Sequence, residues 1–275
     1  MNYNRFFTII AIVAMCIALF STCKKDKKDP EEVFEFEPEM IYVEPGTFTM
    51  GCTDNDCVLN TETPAHQVTL TKGYYIGKYT VTQAQWEAVM GITMEEQAAL
   101  AGYSPSALKY DVGDDYPMYL VNEDDIQTFL SKLNTLTGKN YRLPTEAEWE
   151  FAARGGNQSK GYKYSGSDNI NDVAWYGAYS GGNSGDATHR VGLKQPNELG
   201  IYDMSGNVWE CCSDWYDVYS EEAQTDPQGP AVGTRRVMRG GTYYRSAQYC
   251  RVAYRGQKDP SIRGGDVGFR VALSL

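Results

Sequence analysis

The chain has 275 residues, 42% of them hydrophobic, and a formal net charge of -11; with a leader and tether set aside, roughly 235 residues remain, enough for one domain with a real core. Acidic residues number 36 against 25 basic ones, and the only lysine cluster lies near the N-terminus, which excludes a surface built to hold nucleic-acid phosphates. The 27 Gly, 21 Tyr and 5 Trp imply tight turns around aromatic packing and exclude a disordered chain.

Residues 1–22 carry one cation, Arg5, ahead of an apolar run at 6–20 that is short for a bilayer span, so they are expected to form a secretion signal. The run closes on Phe20-Ser21-Thr22-Cys23, which resembles the processing site of bacterial lipoproteins, with Phe20 where Leu is usual. The expectation is a lipid-modified Cys23, a tether over 23–39 and one domain over 40–275, anchored at the cell envelope as an outer-membrane lipoprotein, periplasmic or surface-exposed. An ordinary cleaved signal with Cys23 incidental is the competing reading. The charged string KKDKKDPEEVFEFEP at 24–38 lacks apolar periodicity and is expected to be an extended spacer.

Within the domain, MIYV (40–43) and TFTM (47–50) read as two short strands around the turn Glu44-Pro45-Gly46. Residues 66–71 and 74–79 repeat the pattern across Lys72-Gly73. Three helices follow. Thr82 with Gln85 forms a capping box, and Trp86, Val89 and Met90 share a face before Gly91. Asn122 caps the second, in which Ile126, Phe129, Leu130, Leu133 and Leu136 recur at helical spacing until Gly138. Thr145 and Glu148 cap the third, which carries Trp149, Ala152 and Ala153 and stops at Gly155-Gly156. All three read as core helices. Beyond Gly155, Gly, Ser, Asn and Asp alternate with Trp and Tyr, and no helix longer than about two turns is expected.

With Cys16 and Cys23 assigned to the leader and anchor, Cys52, Cys57, Cys211, Cys212 and Cys250 remain, an odd number for an oxidising compartment. Cys52 and Cys57 are near enough to pair locally; Cys211 or Cys212 paired with Cys250 ties two distant segments together. No cysteine spacing is that of a zinc site, and His66 and His189 stand alone, as ordinary surface or turn histidines do.

Four strings occur in order: YRLPTEAEWEFAARGG (141–156), LGIYDMSGNVWE (199–210), RVMRGGT (236–242) and GFR (268–270). Together with VEPGTFTMG (43–51) and YTVT (79–82) they closely resemble the formylglycine-generating enzymes, or sulfatase-modifying factors, over residue 40 to the end. The resemblance implies an irregular α+β fold with a core like that of C-type lectins and little regular secondary structure. It also implies a copper- and oxygen-dependent oxidase that converts a sulfatase cysteine to formylglycine, with copper held by two thiolates a few residues after Gly-Gly-Ser, separated by four intervening residues. Here the stretch after Gly240-Gly241-Thr242 contains Cys250 alone, so copper is not expected; Cys212 and Cys250 are expected to form a disulfide instead. Asp203, Gly206, Val208 and Glu210 match one of the family's calcium sites, two carboxylates and two carbonyls around a hard cation. The competing reading has Asp203 capping a turn and Glu210 paired with an arginine. Where the family reads Trp-Glu-Trp, this chain has Trp209-Glu210-Cys211.

Tyr243, Tyr244, Arg245, Ser246, Tyr249 and Tyr254 have the composition of a binding paratope, in which Tyr offers broad contact at low entropic cost. Their interleaving with scaffold residues also resembles the variable proteins of diversity-generating retroelements. The sequence therefore leads to a lipid-anchored, non-catalytic member that binds a protein or glycan through its C-terminal surface. A formylglycine-generating oxidase is the alternative, and a structural subunit of an envelope assembly a third.

Overall fold

A computed structural model describes residues 36–275, except 54–56, 58–59, 105–107, 109–110, 178 and 186. The leader, Cys23 and most of the tether lie outside the described residues. Three small sheets and five helices order as β1 (Met40–Val43), β2 (Gly46–Met50), β3 (His66–Leu70), β4 (Tyr74–Gly77), α1 (Gln83–Met90), α2 (Met94–Leu100), α3 (Glu123–Thr137), β5 (Tyr141–Arg142), α4 (Glu146–Ala153), α5 (Ile170–Val173), β6 (Trp209–Trp215), β7 (Gln224–Thr225), β8 (Arg236–Arg239), β9 (Gly256–Lys258), β10 (Val267–Phe269) and β11 (Ala272–Ser274). The sheets run β1-β4-β11-β5, β10-β6-β8-β9 and β2-β3-β7. This is the irregular α+β architecture expected, with long unpaired stretches between short elements. Among the described residues no helix is long and apolar enough to cross a membrane.

The three helix readings hold because each rests on local chemistry. Thr82, Asn122 and Thr145 each accept from the amide three residues on, and the side chain there returns the bond, so reciprocal caps satisfy first-turn donors. Gly91 and Gly138 end α1 and α3 in the left-handed conformation. On α3, Ile126, Phe129, Leu130 and Leu133 are buried while Leu136 is exposed, so the apolar stripe ends a turn earlier than its spacing implies. Each buried side chain of that kind contributes about 1.5–3 kcal/mol. Trp86 of α1 stacks on Phe129 at 5.6 Å with ring planes 1° apart, and Phe269 meets Phe129 edge-on at 5.2 Å. The short helix α2, unread in the sequence, also has a complete capping box at Thr93 and Glu96.

The first four strands form where expected, but the pairings read across Glu44-Pro45-Gly46 and Lys72-Gly73 do not. β1 pairs with β4 and β2 with β3, both antiparallel, so the turn at 44–45 carries the chain from one sheet into another. β6 is the hinge of the second half: it pairs in parallel with β10 and antiparallel with β8, with an irregularity between Cys211 and Trp215. These pairings bring the RGG and GFR strings to either side of WE.

The cysteines correct one expectation. Cys52 and Cys57 form the disulfide, while Cys211, Cys212 and Cys250 are free, buried thiols. Cys212 packs with Trp149, Val237 and Val252, and Cys250 with Tyr164, Ile170 and Val173, in separate apolar clusters. The Cys250 sulfur lies against Gly241, where an added Cβ would come within 2.7 Å of it; it is spent on packing rather than on a crosslink to β6.

Candidate functional site

The four strings that mark the sequence meet in the interior as ion pairs. Glu150 of α4 is fully buried, accepts from the Gly51 amide and Arg154 Nε at 2.9 Å each, and pairs with Arg239 of β8. Arg239 also donates to the carbonyls of Ala253 and Tyr254 at 2.9 and 2.6 Å. Glu146 receives Arg255 at both oxygens, 2.5 and 2.7 Å, and Arg251 donates to Glu62 at 2.6 Å. A buried charge persists only when paired and hydrogen-bonded, so Arg239 and Arg255 hold their segments to α4, and Arg251 holds its own to that around Glu62, where no regular ladder can.

Glu210 belongs to the same set, and its partners bear on the calcium expectation. One of its oxygens accepts from Thr80 Oγ1 (2.6 Å) and Arg270 Nη2 (2.9 Å), the other from Trp149 Nε1 (2.7 Å) and Arg270 Nε (2.9 Å). Four donor groups fill the lone pairs of a carboxylate, and two of them belong to the cationic Arg270. Asp203, in the left-handed region at φ 57°, accepts from the Gly192 amide at 2.7 Å, and burial pushes its carboxyl up to about 6. Gly206 donates its amide to Gly240 O, and a Cβ there would sit 2.3 Å from Trp175 O, so close backbone approach explains the glycine. Glu210 is therefore paired with an arginine, as the competing reading has it, and a carboxylate so occupied does not suit a calcium ion.

The thiols do not fit a two-thiolate copper ion either. Cys211, Cys212 and Cys250 fall in three different apolar clusters. Burial pushes the Cys211 thiol up to about 11 and Cys250 to about 12, and Cys212 well above its ordinary range, against the thiolate form a metal needs. Five residues before Cys250, where the resemblance places the second thiolate with four residues between, stands Arg245. Among the described residues no group of three His, Cys, Asp or Glu side chains is placed to hold a metal ion.

An open cavity does lie beside the RGG turn. It measures about 350 Å³ and is walled by Tyr103, Asp111, Tyr119, Tyr243, Tyr244 and Asp266, with Leu108, Leu120 and Gly265. Tyr243 is fixed by its backbone, whose amide donates to Asn207 O at 2.8 Å and whose carbonyl accepts from Ser184 Oγ at 2.7 Å. Tyr244 is exposed at the rim, 4.9 Å edge-on from Tyr179. Asp111 accepts from the Thr188 amide at 2.8 Å and its hydroxyl at 3.2 Å through one oxygen, and from Tyr119 OH at 3.4 Å through the other. Burial raises the Asp111 and Asp266 carboxyls above the usual range. Leu120 holds a left-handed φ of 59° at the wall, a costly conformation for such a side chain.

Of the six residues singled out as a binding surface, Tyr243 and Tyr244 reach this cavity. Arg245 is exposed beside it, its guanidinium 5.9 Å from the Tyr244 ring centre and 5.6 Å from that of Tyr249. Ser246 starts a 3-10 turn and is half-buried. Tyr249 packs edge-on against Tyr254 at 4.9 Å, and Tyr254 is buried against Trp209, which removes Tyr254 from any ligand surface. Tyr103, Asp111 and Tyr119, on the connection between α2 and α3, and Asp266, just before β10, escaped sequence reading because they belong to no shared motif.

Fold and site together define a sulfatase-modifying-factor domain. A family model described as Sulfatase-modifying factor enzyme 1-like domain matches residues 25–275, and the chain belongs to that family. It is 36% identical over 235 residues to the Chaperone protein LppX of Paenibacillus barcinonensis, covering 73% of this chain and 80% of that one. It is 31% identical over 284 residues to the mouse (Mus musculus) formylglycine-generating enzyme, covering 85% and 74%. The solved Treponema denticola variable protein 1 superposes with a TM-score of 0.72 at 30% identity, covering 86% of this chain and 95% of that one.

Proposed function

We propose that this protein is a binding member of the family rather than an oxidase, held at the cell envelope through Cys23 and presenting the tyrosine-walled cavity to a protein or glycan. The single observation carrying the reading is the exchange beside Gly240-Gly241-Thr242: Arg245 stands where a thiolate is needed, Cys250 is sunk in an apolar cluster with its thiol at about 12, and Tyr243 and Tyr244 open onto a cavity. Oxidation through copper needs paired soft donors, whereas rigid aromatic anchors around a concave site suit recognition. Similarity to a variable protein as well as to a formylglycine-generating enzyme supports considering both activities on this fold.

The test is an array of envelope proteins and oligosaccharides probed with wild-type protein and with Tyr243→Ala/Tyr244→Ala. Saturable capture lost in the double variant supports the reading; capture equal in both overturns it. The oxidase reading draws its support from the identity to the mouse enzyme over most of the chain.

A further inference from the structure

Every buried glutamate described above has an arginine: Glu62 with Arg251, Glu146 with Arg255, Glu150 with Arg239 and Glu210 with Arg270. The carboxylates in the cavity differ. Among the described residues neither Asp111 nor Asp266 carries a salt bridge. Asp111, 9% exposed, receives only neutral donors, and its Oδ2 has a single long contact, from Tyr119. Asp111, withdrawn from water without a cation, carries an unmet desolvation cost, while half-buried Asp266 feels Arg245 and Lys258 without pairing to either.

Around them stand Tyr103, Tyr119, Tyr243 and Tyr244, whose ring faces attract cations. The protein already uses the rim in this manner, since Arg245 lies over the rings of Tyr244 and Tyr249. The volume of about 350 Å³ is at the small end of ligand cavities, room for one side chain rather than a large cofactor.

We infer that this cavity receives the ammonium or guanidinium of a lysine or arginine side chain on a protein partner, held among the tyrosines and neutralised by Asp111 and Asp266. The inference rests on the binding reading above and narrows it. A neutral sugar could hydrogen-bond to the carboxylates but would leave their charge unmet, whereas a basic side chain supplies the missing counter-charge. Arg245 acts at the rim as a competitor: its positive charge lowers the Asp266 carboxyl and so weakens the field felt by an incoming cation.

The experiment titrates the full chain in detergent micelles with N-acetyl-lysine amide and N-acetyl-arginine amide, against their neutral isosteres N-acetyl-norleucine amide and N-acetyl-citrulline amide, followed by saturation-transfer NMR. The charged amides should bind saturably and at least about tenfold more tightly than the isosteres, with binding falling as salt rises. Asp266→Asn and Tyr244→Leu, both near the rim, should each weaken binding about three- to tenfold, and Arg245→Gln should strengthen it. Thermal melts confirm that the variants fold. Equal binding of the isosteres, or no response to Asp266→Asn, overturns the cation. If a neutral oligosaccharide binds in a Tyr244-dependent way while the charged amides do not, the cation falls and the binding function stands. Conversion of a sulfatase-derived cysteine peptide to its aldehyde would remove the binding function itself.

Discussion

Arg270 grips Glu210 with Nε on one carboxylate oxygen and Nη2 on the other, each at 2.9 Å, with neither residue appreciably exposed. Arg270 also donates to the carbonyls of Gly77 and Tyr202, at 2.6 and 2.8 Å, so one guanidinium joins β4, β6 and the loop before β6. Removing the charge of one partner leaves the other buried and unpaired.

Glu210→Gln is therefore expected to lower the unfolding free energy by about 3–5 kcal/mol, measured by urea denaturation. Because no lone pair of Glu210 is left for a cation, chelation with EGTA should leave the wild-type midpoint unchanged. A fall on chelation that added calcium restores would place a cation in this loop.

The buried thiols should be silent. In the native protein Cys211, Cys212 and Cys250 are expected to resist a disulfide-exchange reagent and to react, three per chain, only after unfolding. Gly241→Ala should destabilise more than Cys250→Ala. The added Cβ would meet the Cys250 sulfur and the Tyr249 carbonyl at 2.7 Å each and must hold a φ of 75°, whereas the cysteine change leaves only a small cavity.

Asp214 gives a pH signature. Its carboxyl is pushed up to about 7, first by burial and then by Glu146, although it accepts from the Glu146 amide at 2.9 Å and from Ser213 Oγ at 3.0 Å. Between its unfolded value near 4 and about 7 the native state binds the extra proton, so this group's contribution is full below the unfolded value and is lost as pH rises to about 7. Asp214→Asn keeps an accepting oxygen and removes the titration. Relative to wild type it should gain stability between about pH 4 and 7, by at most about 4 kcal/mol, read from denaturation midpoints across that range. A difference independent of pH would contradict the assignment.

In the stack of Trp86, Phe129 and Phe269, Phe129→Ala should cost about 3–5 kcal/mol, measured by thermal unfolding, because the side chain is fully buried between two rings.

Local chemistry made the helices legible: Thr82, Asn122 and Thr145 each cap within one turn. Helix α2 also has its box at Thr93 and Glu96, but it buries only Met94, Gln97 and Ala98, a pattern too polar to stand out as periodicity. The pairing of β1 with β4 rather than β2 was not legible, because strand partners are chosen by burial across the fold. The Cys212–Cys250 expectation failed for the same reason: sequence order says nothing of the two apolar clusters that separate them. Tyr243 and Tyr244 were readable from composition after a Gly-Gly turn. Their carboxylate neighbours Asp111 and Asp266 lie on loops more than a hundred residues apart and are joined only by the folded chain.

The proposal that this member is not an oxidase is tested most directly by incubating the full chain with a sulfatase-derived cysteine peptide, copper and oxygen, and reading the peptide by mass spectrometry. The expected result is unchanged cysteine at every time point, with a formylglycine-generating enzyme converting the same peptide alongside. Formation of the aldehyde by this chain, lost on Cys250→Ser, would contradict the binding assignment.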